Sequence, residues 1–277
     1  MHYSIKAERV IIITDIHQNC AWVDMILRAE KGNYDHIIFN GDWFDTYFEP
    51  PAVYTAKETA LFLIECMEGK YGPATFHIGN HDIAYMEGHK WVKNFQVPHS
   101  LKNICSGYSN SKSQKINKAL DWEHWIKFQM FSEFGYFVIS HAGITPQFWN
   151  DYKTEEENLD KIWRETQEAL KLVSIMPSKY FQAGFSRGGT QTYGGIIWAD
   201  WDCDFFDDIP VKQIVGHTTK YNTIRKTGDS FCIDGTQSTY CLLDKDGKIV
   251  FKTTSSEPII IRDDSDFKNK ISESYKY

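Results

Sequence analysis

Five short blocks of the chain pair Asp, Asn and His: "TDIH" with Asp15 and His17, "NGDWFD" with Asp42 and Asp45, "IGNHD" with Asn80, His81 and Asp82, "ISHAG" with His141, and "VGHT" with His217. Carboxylate, amide and imidazole are the donors that hold first-row divalent cations. A single D-x-H is compatible with a helix cap beside an ordinary histidine, and N-G-D and G-N-H-D are good turn sequences. Five such blocks, each directly after an apolar run, ask for a common explanation. Open α/β sheets gather their ligands at the carboxyl ends of strands, so these side chains would pool in one crevice. The glycines before Asp42, Asn80 and His217 would let the chain bend sharply and bring the next side chain inward.

The elements that must do this positioning are legible as short apolar runs bounded by Gly, Asn and Asp. They lie at 9–14, 36–40, 74–79, 135–140, 212–216, 231–234 and 239–244, and their length and flanks suit buried strands. Helical patterns fall between the early ones. Asn19 can cap a helix with Trp22, Ile26 and Ala29 on one stripe, and Thr55 with Glu58 spells a capping box. This β-α-β rhythm indicates an α/β fold. The Ser-, Asn- and Lys-rich segment 100–118 reads as a loop insertion. Trp122, Trp125, Phe128 and Phe131 recur every three residues, as on a helix face. Thr154 and Glu157 precede a longer helix with Leu159, Ile162, Trp163, Thr166, Leu170 and Val173 as its stripe and Pro177 as its stop. Hairpin signals sit at "TGD" and "KDG". The charged tail 258–277 shows no clear partner, and the whole, 1–277, reads as a single domain.

With 30 basic and 37 acidic residues among 277, the net charge is −7. That balance argues against bulk electrostatic binding to nucleic acid or to an anionic membrane. No segment approaches the roughly 18 apolar residues of a membrane span, and the first apolar run is too short for a signal peptide. A cytoplasmic protein is the expectation. Six cysteines form no C-x-x-C pair, which suits reduced thiols, with Cys20, Cys66 and Cys241 as small buried hydrophobes.

The order and spelling of the five blocks resemble the calcineurin-like metallophosphoesterases, from Asp15 to beyond Asp234. "SHAGITPQFW", "GGIIWADWD", "QIVGHT" and "FCIDGTQSTYCLLDKDG" are similar to the branch of bacterial Ser/Thr protein phosphatases and symmetrical diadenosine tetraphosphatases. The resemblance implies a four-layer α/β/β/α sandwich with two divalent metal ions, manganese first and iron, zinc or nickel as alternatives. Asp15, His17 and Asp42 would hold one ion, and Asp42, Asn80, His141 and His217 the other. The ions would lower the pKa of a bridging water that attacks phosphorus, His81 would protonate the leaving oxygen, and Asp45 would orient His81. Expected substrates are phosphate monoesters or phosphoanhydrides, whether phosphoprotein, nucleotide or dinucleoside polyphosphate.

Two departures stand out. "GDWFDTY" has Thr46 where the resembled phosphatases carry an arginine that clamps phosphate. Arg187, in "FSRGGTQTYGG", falls near a second phosphate arginine, with Arg164 and Arg225 as lesser candidates. Thr219 in "VGHTT" stands where many relatives place a further histidine, which leaves the first ion three protein ligands. The alternatives are a phosphodiesterase that processes nucleic-acid ends, which the acidic balance disfavours, and a non-catalytic metal-binding scaffold.

Overall fold

Alternation decides how β1 (Arg9–Ile13) is used. Val10 and Ile12 enter one apolar cluster, Ile11 and Ile13 another, and all four are fully buried, as the two-residue period of a strand requires. The strand therefore carries core on both faces. In the computed structural model, the described residues are 3–46, 53–86, 105, 107–150, 158–172, 178–206, 209–266 and 268.

β1 is central in a six-stranded sheet with β2 (His36–Phe39), β3 (Ala74–His77), β4 (Phe128–Gln129), β10 (Thr239–Asp244) and β11 (Ile249–Thr253), in the order β11-β10-β1-β2-β3-β4. β1 to β4 run parallel, and β10 is antiparallel to β1 with Ile12 opposite Cys241. The second sheet holds β5 (Phe131–Phe134), β6 (Phe137–Ser140), β7 (Lys212–Val215), β8 (Thr223–Thr227), β9 (Ser230–Cys232) and β12 (Ile260–Asp263), in the order β12-β8-β9-β7-β6-β5. Here β6, β7 and β9 run parallel. Val10, Ile12, Ile38 and Leu243 of the first sheet meet Ile139, Ile214 and Ile224 of the second. The two mixed sheets thus pack face to face, with helices outside, as a four-layer sandwich.

On the first sheet lie α1 (Cys20–Ala29) and α2 (Ala56–Met67). Asn19 Oδ1 accepts from the Trp22 N–H at 3.2 Å, and the Thr55/Glu58 capping box is complete. Beyond the second sheet, α5 (Pro146–Asn150) and α6 (Asn158–Leu172) bury Phe148, Ile162 and Leu170 in a cluster that also holds Val138 of β6. The stripe Ile162, Thr166, Leu170 is buried as expected, whereas Thr154, Glu157, Val173 and Pro177 lie outside the described residues.

Three expectations change. Within the proposed loop 100–118, Asn110–Ala119 forms α3, capped by Ser109, with Ser113 and Ile116 as its buried residues. Two inward side chains suffice because α3 rests on α2, so the polar composition hid a helix. The aromatic run 122–131 is one helical turn, α4 (Trp122–Trp125), followed by β4 and the start of β5. Trp125, Phe128 and Phe131 still share one cluster. The charged tail supplies β12, paired parallel to β8 with Ile260 opposite Thr223. All six cysteines are free thiols, Cys20, Cys66 and Cys241 among the buried ones, and among the described residues no helix is long and apolar enough to cross a membrane.

The tail also buries a lysine. Lys268, 2% exposed, donates from Nζ to the Phe205 carbonyl at 2.6 Å and lies 3.9 Å from the Trp201 ring centroid. Burial pushes its ammonium down to about 7. A base whose folded pKa is depressed binds fewer protons folded than unfolded between the two values, so its contribution to stability rises with pH across that window. Lys268→Met removes the titrating group. In urea unfolding, the stability of the wild type relative to this variant is expected to climb between pH 7 and about 9; a pH-independent difference would refute a depressed Lys268.

Candidate metal centre

Asp15 and His17 follow β1, Asp42 and Asp45 follow β2, Asn80 and His81 follow β3, His141 follows β6 and His217 follows β7. The two sheets are sewn together at these strand ends. Asn40 Nδ2 donates to the Ser140 carbonyl at 2.8 Å, His141 Nδ1 pairs with the Asn40 carbonyl at 2.9 Å, and the His217 N–H donates to the Asp15 carboxylate at 3.1 Å. Side chains from distant parts of the chain thereby reach one point. Ligand-type atoms of Asp15, His17 and Asp42 lie within 4.8 Å of one another, and so do those of Asp42, His141 and His217. Asp42 belongs to both trios. Asn80 Oδ1 joins the second at 3.0 Å from His141 Nε2.

The backbone is strained here. Asp15, His17, Asp42, Asp45 and His217 all take positive φ, between 43° and 67°, each at an expense of order 1–3 kcal/mol that surrounding contacts must offset. The glycines act differently from expectation. Gly41 does turn through positive φ, but at Gly79 and Gly216 the requirement is room: a Cβ would stand 2.1 Å from Asp42 Oδ1 or 2.2 Å from Asp15 Oδ2. Close approach, not a bend, excludes other residues there.

Charge shows what the donor set suits. Burial, aided by Asp42, pushes the Asp15 carboxyl up to about 6 against the pull of His141. Burial also opposes ionisation of Asp42, yet His141, His81 and His17 together hold its carboxyl far below the usual range. Burial would lower His141, but Asp42 and Asp15 lift it to about 10. The carboxylates thus favour positive charge at this point, which a cation could also supply. Burial and the charges of His141 and Arg187 keep His217 neutral, and its buried Nε2 has no hydrogen-bond partner among the described residues. An orphaned neutral imidazole nitrogen grouped with the Asp42 carboxylate and the His141 ring is a metal-ligand arrangement. His17 Nδ1 is fixed by the Asp45 carbonyl at 2.7 Å and His141 Nδ1 by that of Asn40, so both present Nε2 inward. The donor set fits two divalent ions sharing Asp42.

A second cluster flanks the first. His81 Nδ1 lies 3.1 Å from Asp45 Oδ2. The Cys105 thiol donates to the same oxygen at 2.6 Å, and Oδ1 accepts from Tyr85 and from Lys112 Nζ. Burial raises the Asp45 carboxyl, but hydrogen bonds from His81, Cys105 and Tyr85 prevail and bring it down to about 2. Burial alone would lower His81; Asp42 and Asp45 outweigh it and hold the imidazole above its ordinary value. Arg187 lies with its Nε 2.6 Å from Asp200 Oδ2 and its Nη2 donating to Thr218 Oγ1 at 2.8 Å, the residue after His217. Arg164 donates to the Asp160 carbonyl on α6, and Arg225, 3% exposed, pairs with Asp202. Neither joins the cluster.

Sequence reasoning grouped Asp82 with the candidate ligands but gave it no specific role, and gave none to Asn40, Cys105, Tyr85 or Lys112. Asp82, fully buried, accepts from the backbone N–H groups of Asp42, Trp43 and Gly79 at 2.8, 2.8 and 3.0 Å, and so clamps two strand-end loops together. Its place directly after His81 was the available signal. Cys105 and Lys112 had none, being far in sequence from any block.

The family model for calcineurin-like phosphoesterases matches residues 8–221. No curated protein matches the chain significantly. Among solved structures, the fold is similar to a cold-active protein-tyrosine phosphatase from a psychrophilic Shewanella species, at 14% identity and a TM-score of 0.55, over 90% of this chain and 82% of that one. It is also similar to a protein serine/threonine phosphatase from Saccharomyces cerevisiae, at 14% identity and a TM-score of 0.48, over 90% of this chain and 81% of that one.

Divalent metal is expected to raise the melting temperature and a chelator to reverse the gain, because an ion that binds only the folded state at 100 times its Kd adds about 2.7 kcal/mol. Asp42→Asn removes the shared carboxylate, so its melting temperature should respond little to manganese. A wild type indifferent to both metal and chelator would refute the centre.

Proposed function

Since the chain belongs to the calcineurin-like phosphoesterase family, and is a metal-dependent hydrolase of phosphoesters, we propose that it cleaves phosphate monoesters or phosphoanhydrides at this centre. The observation that carries the reading is Asp42, one carboxylate common to two donor groups from two sheets. In this reading Asp15, His17 and Asp42 hold one ion, and Asp42, Asn80, His141 and His217 the other, with manganese as the metal. When bound, two such ions acidify a water and offset the charge on the phosphoryl oxygens.

The chain's own residues do the rest. Asp45 occupies His81 Nδ1, so the proton to be donated is on Nε2, the opposite edge of the ring. As the bond from phosphorus to the leaving oxygen breaks, its electron pair stays on that oxygen, and His81 supplies the proton that neutralises it. Buried Asp45, held by four donors, keeps the imidazole aimed and favours its protonated form. Arg187, beside Thr218, is positioned to meet phosphate oxygens on the His217 side. The substrate is a small phosphorylated molecule or a phosphoprotein, handled in the cytoplasm.

His81→Ala, loaded with manganese, should lose about 10²- to 10⁴-fold in kcat on an alkyl phosphate. The loss should be distinctly smaller on p-nitrophenyl phosphate, whose leaving group needs little protonation. Equal losses on both esters would remove His81 from the proton-donor role, and metal-independent wild-type turnover would sink the two-metal reading.

A further inference from the structure

The cluster around Asp45 carries a donor set of its own. His81 Nδ1 lies 3.1 Å from Asp45 Oδ2, and the Cys105 sulfur stands 2.6 Å from that oxygen and 3.3 Å from that nitrogen. All three residues are buried, and their ligand-type atoms lie within 4.8 Å of one another. The group shares no residue with the two trios that meet at Asp42. Among the described residues it is the one such group that contains sulfur.

Imidazole, carboxylate and thiolate are donors that zinc takes. Around a tetrahedral zinc ion, nitrogen and oxygen ligands stand about 3.3 Å apart and sulfur about 3.5 Å from either. The two separations from His81 Nδ1, 3.1 and 3.3 Å, agree with these to about 0.2 Å. The third, 2.6 Å, is the span of the hydrogen bond from thiol to carboxylate, and without that proton the sulfur is free to move outward. Asp45 is braced for the task, because its Oδ1 accepts from Tyr85 and from Lys112 Nζ and leaves Oδ2 aimed at the sulfur and the imidazole. Ligating carboxylates depend on such outer partners.

We propose that Cys105, His81 and Asp45 form a third metal site, selective for zinc over manganese, whose filling silences the proton donor. Sulfur sets the preference, since thiolate favours zinc and its chemical neighbours while manganese favours oxygen. On binding, the thiol and the imidazolium each release one proton to water, so one divalent ion replaces two protons and the buried charge is unchanged. His81 then holds zinc at Nδ1 and keeps the N–H at Nε2. That N–H belongs to a ring that is no longer an imidazolium, and it is a far weaker acid. The silencing rests on the phosphoesterase reading, whereas the site itself does not.

Cobalt stands in for zinc and reports thiolate ligation by a charge-transfer band in the near ultraviolet, which the oxygen and nitrogen donors of the two-metal centre cannot give. Cobalt added to the manganese-loaded full chain should produce this band. Cys203→Ser, which removes the exposed thiol, should keep it. Cys105→Ser, whose melting temperature should still rise with manganese, should lose it. His81→Ala retains the thiol and should weaken cobalt binding, read from the same band, at least about tenfold. A wild type without the band, or a band that survives in Cys105→Ser, would overturn the site. In turnover, zinc should lower the alkyl-to-aryl ratio of kcat at least about tenfold in the wild type, as His81→Ala does, and by no more than about twofold in Cys105→Ser. An equal change in both chains would overturn the silencing. A manganese-loaded chain that cleaves neither ester would instead overturn the phosphoesterase reading, and the absorbance test would stand without it.

Discussion

A carboxylate that is 2% exposed at the seam of two sheets must be matched by donors and positive charge, and Asp42 draws them from both sheets. His17 Nε2 at 3.7 Å and the His81 N–H at 2.9 Å come from the first sheet's strand ends, and His141 Nε2 at 3.4 Å from the second's. Removing one partner from such a buried group costs several kcal/mol, because the charge is left uncompensated. The neighbouring backbone is arranged around the same demand. Asp82 gathers the N–H groups of Asp42, Trp43 and Gly79, although burial and Asp42 push its own carboxyl up to about 7.

Mutual bracing explains how five non-glycine residues tolerate left-handed backbone. The His17 N–H donates to the Asp42 carbonyl at 2.7 Å and the Gln18 N–H to that of Trp43 at 2.9 Å, so the loops after β1 and β2 hold each other. Gly79 and Gly216 let the ends of β3 and β7 press against the carboxylates of Asp42 and Asp15. The strain and the close contacts are two aspects of one requirement: short loops from separate strands must occupy nearly the same space.

The parts of the fold legible in the sequence were those with a clear period or a compact motif. Strands such as Arg9–Ile13 and Thr239–Asp244 announced themselves as apolar runs, and the Thr55/Glu58 box placed α2. The blocks ending in Asp42, Asn80 and His217 named residues that the fold does bring together, because strand ends are where a parallel sheet gathers polar groups. What stayed hidden depends on contacts remote in sequence. Helix α3 buries only Ser113 and Ile116, too little for a periodic signal, and its residue Lys112 meets Asp45 across 67 positions. The aromatics from Trp122 to Phe131 looked helical because a turn and two short strands can bury side chains at the same spacing. Strain at Asp15 and His217 leaves only a weak compositional trace, since Asp and His are merely enriched among non-glycine residues at positive φ.

The residues of the centre run from Asp15 to His217, and the hydrogen bond from the His217 N–H to Asp15 crosses 202 positions. Contacts of such separation are the slowest to form, because chain entropy must be lost before they give anything back. No contiguous piece ending before β7 can assemble the site. During synthesis the first sheet's β1, β2 and β3 can pair early through parallel contacts, yet Asp42 must then wait for His141 and His217, which emerge 99 and 175 positions later. Completion of the group that joins Asp42 to His141 and His217 is therefore a finishing event, which closes a topology already laid down.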